Sequence, residues 1–446
     1  MREPNPGGAS VRVVYLSRTF KSIRQTGLAF ALLLSAFVGI AHPGEAGKRI
    51  SLEEALDIAL KRNPRIVSQG WDVSGGEGRI RQASALPNPE LELEAENVGG
   101  DLDGFEESET TVWISQVVET AGKRRHRVRI SREELRRIGW EGVSIRREVL
   151  AETSRSFVEL LGAERRLALI RQAREISGEL YGIARERVRE GAISPIEETR
   201  ARVALALAEA ESERAAREVR DALVVLSAAM GERTPSFEGI KGELADDAFL
   251  PEMADLESRL KDHPEFRKRE SEKAVREASL ASAKSSAFPD ITVRAGYRYF
   301  AEDSLHAFVF GASLPVPVFD ANQGAIREAQ AAISKAREEE RAEEARLRRE
   351  LARAHSNLSG ANKEARLLRE GALAGAQDAY EAVREGYNLG KFRYLDLLDA
   401  GRTLVETRLR YIDSLVRLNL ARVEIEFLAG GTPPGDIQQV IQGGIR

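Results

Sequence analysis

The chain of 446 residues is 42% hydrophobic and 31% charged, and its formal net charge is −4. This balance gives no support for a nucleic-acid-binding protein, which needs a strongly basic surface. The absence of cysteine excludes disulfides, thiolate metal sites, a cysteine nucleophile and a lipidated N-terminal cysteine. Alanine, glutamate, arginine and leucine dominate, a composition that is typical of long helices and coiled coils.

The N-terminal segment predicts a secretory signal peptide. Basic residues between Arg12 and Arg24 precede an apolar run of about 14 residues at 28–41, and small residues follow it. The run is shorter than the roughly 20 residues that a transmembrane helix needs. We therefore predict that residues 1–46 are removed on export. The exported chain then either stays soluble or enters a membrane as β-strands.

The first predicted elements are a broken helix and a strand. Ser51 opens the helix as N-cap, and Asn63-Pro64 predicts a break within it. The strand follows at about 91–98, where apolar and acidic residues alternate with period two.

A second strand is predicted at about 110–118, and residues 122–189 then read as one helix that no proline interrupts. At 1.5 Å per residue this helix approaches 100 Å, so it needs coiled-coil partners or an elongated assembly. Gly191 predicts a sharp turn, after which a helix of about 37 residues returns.

The same order of elements recurs about 199 residues later. Two matches show this at nearly the same offset: Ala201 corresponds to Ala400, and LKRNP at 60–64 corresponds to LKDHP at 260–264. The second set of elements comprises strands at about 291–299 and 305–314, a helix at about 323–384, a turn at Gly390 and another returning helix. We therefore predict repeats at 47–240 and 241–430, followed by a C-terminal tail at 431–446.

Each predicted strand has about 9–11 residues, which is the length that crosses a bilayer at a tilt. Four strands cannot close a pore, and strand edges in lipid must be paired, so several copies must share one barrel; three copies give twelve strands. We expect a group of charged side chains to face the lumen, with Leu91 and Leu93 facing lipid; the group is Glu92, Glu94, Glu96, Arg294 and Arg298. The alternative is that the glutamates lie on the outside of a soluble sheet.

Several segments together resemble the TolC family of outer-membrane efflux proteins over nearly the whole mature length: SLEEALDIALKRNP, ALPNPELELE, FPDITVRAGYRY, SLPVPVFDANQGAIREA and YNLGKFRYLDLLDAGRTL. The resemblance implies a mainly α-helical, TolC-like trimer with a twelve-stranded outer-membrane β-barrel and a long periplasmic α-helical barrel. It also implies a periplasmic adaptor and an inner-membrane RND pump as partners. ETAGKRRHRVRISREEL is most similar to the heavy-metal-efflux (CzcC- and CusC-like) branch.

Asp396 and Asp399 are the leading candidate functional residues. They lie three apart on one helix face, and three chains would place six carboxylates around a narrow axis, which attracts cations and repels anions. In the TolC pattern this pair forms the periplasmic entrance gate. The simpler interpretation is two solvated acids near a helix N-terminus, where the helix dipole favours them. The family's entrance arginine has no exact counterpart here, because Phe392 stands at its position with Lys391 and Arg393 beside it, and the resemblance therefore does not imply how this entrance is latched.

The two helical turns are the predicted adaptor-contact tips by the same resemblance, through Gly191 and Ser194 in the first repeat and Tyr387 and Gly390 in the second. The simpler interpretation is that the two glycines only end their helices.

No pair of histidines has metal-ligand spacing, and no catalytic constellation is present, so we expect neither an enzyme nor a bound metal or cofactor. Two alternatives remain within transport, an exit duct for drug efflux or one for type I protein secretion. A structural periplasmic coiled-coil protein is the alternative from another class.

Overall fold

The computed structural model describes residues 47–99 and 104–429. The predicted signal peptide and C-terminal tail lie outside the described residues. The chain divides into two compact units. The sheet unit comprises the described residues 80–99, 104–131 and 276–332, and the helical unit contains the described residues 47–79, 132–275 and 333–429.

The elements follow the predicted order in each half of the chain. The first half contains β1 (Arg49–Ile50), α1 (Leu52–Arg62), α2 (Pro64–Ser84), β2 (Glu90–Glu96), β3 (Glu109–Val118), α3 (Lys123–Arg189) and α4 (Pro195–Ala229). The second half contains β4 (Gly239–Ile240), α5 (Met253–Leu260), α6 (Pro264–Ser286), β5 (Ile291–Phe300), β6 (Leu305–Ser313), α7 (Gln323–Leu367), α8 (Ala374–Asn388) and α9 (Tyr394–Ala429).

Local side-chain chemistry explains the predicted helix start and break. Ser51 and Glu54 form a reciprocal capping box, in which the Ser51 backbone N–H donates to the Glu54 carboxylate at 2.8 Å. At the break, the Asn63 side-chain oxygen accepts from the Arg65 backbone N–H at 2.9 Å, which caps the helix that starts at Pro64. His263 does the same before Pro264, through Nδ1 and the backbone N–H of Glu265 at 3.3 Å.

The sheet unit contains one four-stranded antiparallel sheet in the order β2-β3-β5-β6. Each half of the chain contributes one β-hairpin, and the two hairpins pair with each other through β3 and β5. Within the described residues, β2 and β6 each have one unpaired edge.

The helix predicted at 323–384 is present as an uninterrupted helical stretch from Gln323 to Asn388, but it is not α-helical throughout. Leu368–Leu373 forms a π-helical turn between α7 and α8. No proline marks it, because the turn adds a residue to the helical ladder instead of removing a hydrogen-bond donor.

The helical unit buries its apolar side chains along helix faces. The largest of its clusters joins α5, α7 and α9 and includes Leu256, Leu351 and Leu418, all fully or almost fully buried. A second cluster joins α1, α3 and α4 around Leu160 and Leu226. Among the described residues, no helix is both long and apolar enough to cross a membrane.

Candidate functional site

The polar face of the sheet is organised around Trp113 on β3. The indole is only 6% exposed, its N–H donates to Glu94 at 2.9 Å, and the guanidinium of Arg294 lies 4.4 Å from the ring centroid. Gly296 lies directly opposite Trp113, and a Cβ at Gly296 would lie 2.6 Å from the indole. The charges of this face are therefore fixed around one aromatic ring that only a glycine neighbour accommodates.

Arg298 connects three strands on the same face. Its guanidinium donates to Glu109 at 2.6 Å and to the Thr111 hydroxyl at 2.9 Å, and it lies 3.2 Å from the Glu96 carboxylate. Strand register also places Glu92 on this face, opposite Trp113. All five residues predicted to face a lumen thus share one face of the sheet. Sequence reasoning did not assign Trp113 to that set. The pattern was present, because Trp113 lies two residues from Thr111 and four from Glu109, and residues at these spacings share one face of a strand.

The opposite face of the sheet is apolar and exposed. Leu91, Phe308 and Phe310 are each more than three-quarters exposed. At one end of this face, His306 stacks on Tyr297 with a centroid distance of 5.6 Å and approaches Tyr299 at 5.2 Å. An apolar band that ends in amphipathic rings is the pattern of a strand surface in contact with lipid.

The two helical turns lie together within the helical unit. Gly191 and Gly390 both have φ of +72°, the left-handed conformation that ends a helix most easily at glycine. Ser194 caps α4 through its hydroxyl, which accepts from the Ile196 backbone N–H at 3.4 Å. Each predicted tip residue except Tyr387 therefore has a clear role in local turn geometry.

Tyr387 does not lie on the surface of its turn. It is 8% exposed, in a cluster with Ala184, Ala201, Tyr394 and Leu397 that joins both turns. Burial in the cluster removes the ring from solvent within one copy, and the assignment of Tyr387 to an adaptor-contact tip stays a prediction.

The contact between the turns is polar as well as apolar. Arg187 near the end of α3 donates to the Tyr387 hydroxyl at 3.1 Å and lies 5.0 Å from its ring centroid. Sequence analysis missed Arg187, which no local pattern separates from the other arginines of α3. The Tyr394 hydroxyl is buried without a partner among the described residues, and burial raises the pKa of Tyr394 to about 12.

Asp396 and Asp399 occupy the first turns of α9 and differ in their contacts. The Asp396 carboxylate accepts from the Arg393 backbone N–H at 2.9 Å, and its side chain is 38% exposed. It therefore caps the helix, as the simpler interpretation requires. Asp399 is exposed. The hydrogen bond to Glu406 raises the pKa of Arg402, and the negative charge of Asp399 adds to this in smaller measure. Asp399 is thus the carboxylate with more freedom to act on a passing ion.

No group of three or more metal-ligating side chains occurs within the described part of the chain.

The sequence comparisons decide the family. The family model described as "Outer membrane efflux protein" matches residues 55–232 and 256–431, well over half of the chain. The chain belongs to this family. The cobalt-zinc-cadmium resistance protein CzcC of Cupriavidus metallidurans is 32% identical over 389 residues, which cover 87% of this chain and 92% of that protein. The nickel-cobalt-cadmium resistance protein NccC of Alcaligenes xylosoxydans xylosoxydans is 27% identical over 300 residues, 67% of either protein.

A crystal structure of CusC shares the fold. It matches with a TM-score of 0.73 at 17% identity and covers 86% of this chain and 92% of that chain. The predicted TolC-like fold and the resemblance to the heavy-metal-efflux branch are therefore confirmed. The protein is an outer-membrane efflux channel, which confirms the predicted location in the cell outer membrane.

Proposed function

We propose that the protein is the exit duct of a tripartite RND-type efflux system and that it exports heavy-metal cations. The observation that carries the proposal is the 32% identity to a cobalt-zinc-cadmium resistance protein over 87% of this chain. A second relative with a nickel-cobalt-cadmium resistance name supports the same substrate class.

The sheet supports a trimer. The unpaired edges of β2 and β6 are too costly to leave in hydrocarbon, where no water satisfies backbone N–H and C=O groups. Pairing β6 of one copy with β2 of the next removes both edges, and three copies close a twelve-stranded barrel. The apolar face around Phe308 and Phe310 then contacts lipid, and the face around Trp113 lines the lumen.

The lumen face supports cations as the exported species. Glu92 and Glu94 lie on it with Glu96, so carboxylates are repeated along β2, the strand at the joint between copies. A ring of carboxylates raises the local cation concentration without a closed ligand set, which suits passage better than retention. In the same way, Asp396 and Asp399 form the entrance gate of the proposed trimer.

The two turns are the proposed docking point of a periplasmic adaptor, which in turn contacts the inner-membrane pump. Gly191, Ser194 and Gly390 form the exposed part of the turns, and Tyr387 supports them from below. The Arg187–Tyr387 contact holds the turns in one arrangement, so an adaptor would meet both turns of a copy together.

A deletion strain tests the substrate class. Its growth should become sensitive to cobalt, zinc and cadmium salts, and wild-type protein supplied in trans should restore resistance. A Glu92→Gln and Glu94→Gln double variant, with the same side-chain size, should restore resistance only in part.

Two results would contradict the metal assignment. Sensitivity limited to organic drugs would identify a drug-efflux duct, and loss of a secreted polypeptide with normal metal resistance would identify type I secretion. The trimer is tested separately by native mass spectrometry of the detergent-solubilised protein.

A further inference from the structure

The helical unit contains a cavity of about 620 Å³ beside the short parallel strand pair β1–β4. One wall is formed by the stretch of α3 from Leu161 to Arg171, with Val219 of α4. The other wall is the strand pair, which contributes Arg49 and Gly239. The volume lies within the range of roughly 300–1,000 Å³ that small-molecule sites occupy. None of the sheet, turn or entrance residues discussed above lines this cavity.

A network of hydrogen bonds holds the strand wall against α3. Arg49 donates through Nη2 to a Glu164 carboxylate oxygen at 2.6 Å and through Nε to the Ile240 carbonyl oxygen at 2.8 Å. The Ile240 backbone N–H donates to the other Glu164 oxygen at 3.4 Å. A Cβ at Gly239 would lie 2.8 Å from that oxygen, so glycine leaves room for the network. Contacts within the chain therefore fix the wall, which lowers the cost of ordering the site when a ligand binds.

The charged side chains of the lining are only partly used by this network. One arginine and one glutamate belong to it, and three charged side chains remain: Arg165, Arg171 and Glu238. Arg165 lies 3.6 Å from Glu243, whose side chain is 89% exposed, so this ion pair is weak. Arg171 and Glu238 have no ion pair within the part of the chain that the structure describes. The cavity thus offers free cationic groups and a free carboxylate together.

The floor of the cavity between the two arginines is small and apolar. Ala168 is exposed and lies three residues from Arg165 and three from Arg171, about 4.5 Å along the helix from each. Leu167 and Val219 add apolar surface to the lining. This combination suits a ligand with small apolar side chains and a charge of each sign.

From these groups we infer that the cavity binds a free short peptide with small side chains. The peptide's terminal carboxylate accepts hydrogen bonds from Arg171, with Arg165 beside it, and its terminal ammonium group donates to Glu238. A purely anionic ligand would face the repulsion of the Glu238 carboxylate, and a metal cation would face that of the arginines. The site is therefore distinct from the proposed path of the metal cations and does not depend on it.

Tri-alanine is a suitable probe because its charges lie only at its two ends. Its binding to the purified full-length protein is followed by saturation-transfer NMR. N-acetyl-tri-alanine and tri-alanine amide serve as matched probes, since each lacks one of the two end charges. We expect saturable binding of tri-alanine and roughly tenfold weaker binding of either blocked form, the scale of one hydrogen bond to a charged group.

Variants assign the two ends of the peptide. Arg171→Gln should weaken binding of tri-alanine roughly tenfold and leave that of the amide unchanged, and Glu238→Gln should weaken tri-alanine and leave the N-acetyl form unchanged. The control Arg174→Gln removes another exposed arginine of α3 that does not line the cavity, and it should bind as the parent does. Ala168→Trp fills the floor from an exposed position and should abolish binding.

Four results would overturn the inference. The first is the absence of saturable tri-alanine binding, and the second is equal binding of all three probes, which would mean that the end charges are not recognised. The third is an effect of Arg174→Gln as large as that of Arg171→Gln. The fourth is unchanged binding to Ala168→Trp, which would place the peptide outside the cavity. The metal sensitivity of a deletion strain bears on the proposed function alone and leaves these results unaffected.

Discussion

Replacement of Gly231 by alanine should destabilise the protein through both backbone strain and steric overlap. Gly231 follows α4 with φ of +85°, and a Cβ there would lie 2.6 Å from the Asn63 Cα and 2.8 Å from the Arg62 carbonyl oxygen. Both are backbone atoms, so no side-chain rotation relieves the overlap. The same junction holds a buried hydrogen bond at 2.8 Å from the Asn63 side chain to the Ala229 carbonyl oxygen.

The magnitude follows from two contributions. A non-glycine residue in the left-handed region costs roughly 1–2 kcal/mol. Added bulk in a packed site costs about 1–3 kcal/mol more. Gly191→Ala is the matched control, because Gly191 has a similar φ of +72° but no atom within 4 Å of a Cβ position. It should therefore show the first contribution alone.

The assay is thermal unfolding of the purified variants, followed by intrinsic tryptophan emission under identical detergent conditions. The fall in Tm for Gly231→Ala should be roughly 1.5 to 4 times that for Gly191→Ala, as the two contributions together compare with the first alone. Equal falls for the two variants would refute the reasoning, because they would mean that the contact with Arg62 and Asn63 contributes nothing.

Two further predictions concern the entrance and the pH dependence of stability. Asp396→Asn and Asp399→Asn should both reduce cation selectivity in planar bilayers, and only Asp396→Asn should also speed amide hydrogen exchange at the start of α9; equal exchange would contradict its capping role. Burial, with the nearby charge of Arg147, lowers the pKa of His263 from 6.5 to about 4. The unfolded chain therefore binds this proton first, and stability should fall as pH drops from about 6.5 to 4 and stay level above that window. His263→Asn keeps a capping oxygen and should flatten this part of the Tm profile; an unchanged slope would exclude His263 as its source.

Most of the sheet could be predicted because its signal is local. Period-two alternation and flanking prolines located all four strands to within about two residues at either end. The break between α1 and α2 was equally predictable, since Asn63 and Pro64 provide a cap and a fixed φ at that point. Such features depend only on residues that are close in sequence.

The π-helical turn and the contact between the turns depend instead on distant parts of the chain. Within the π-helical turn, Arg369 donates to Asp246 at 2.8 Å, 123 residues away. Arg187 meets Tyr387 across 200 residues, and each looks like an ordinary helix residue in its own segment. The acidic pair in α9 was identified from its spacing, but the capping contact that distinguishes Asp396 from Asp399 required the structure.

The hydrogen bond that holds Asp396 to the backbone of its own helix has a consequence for how the channel would open. Turning this side chain aside would break that hydrogen bond, so the bonded position at the start of α9 is the favoured position of its negative charge. If the bond is kept, the passage widens only when the whole of α9 tilts or slides, and the Asp396 carboxylate moves with the helix. A spectroscopic label on the α9 backbone should accordingly move in step with the change in ionic current.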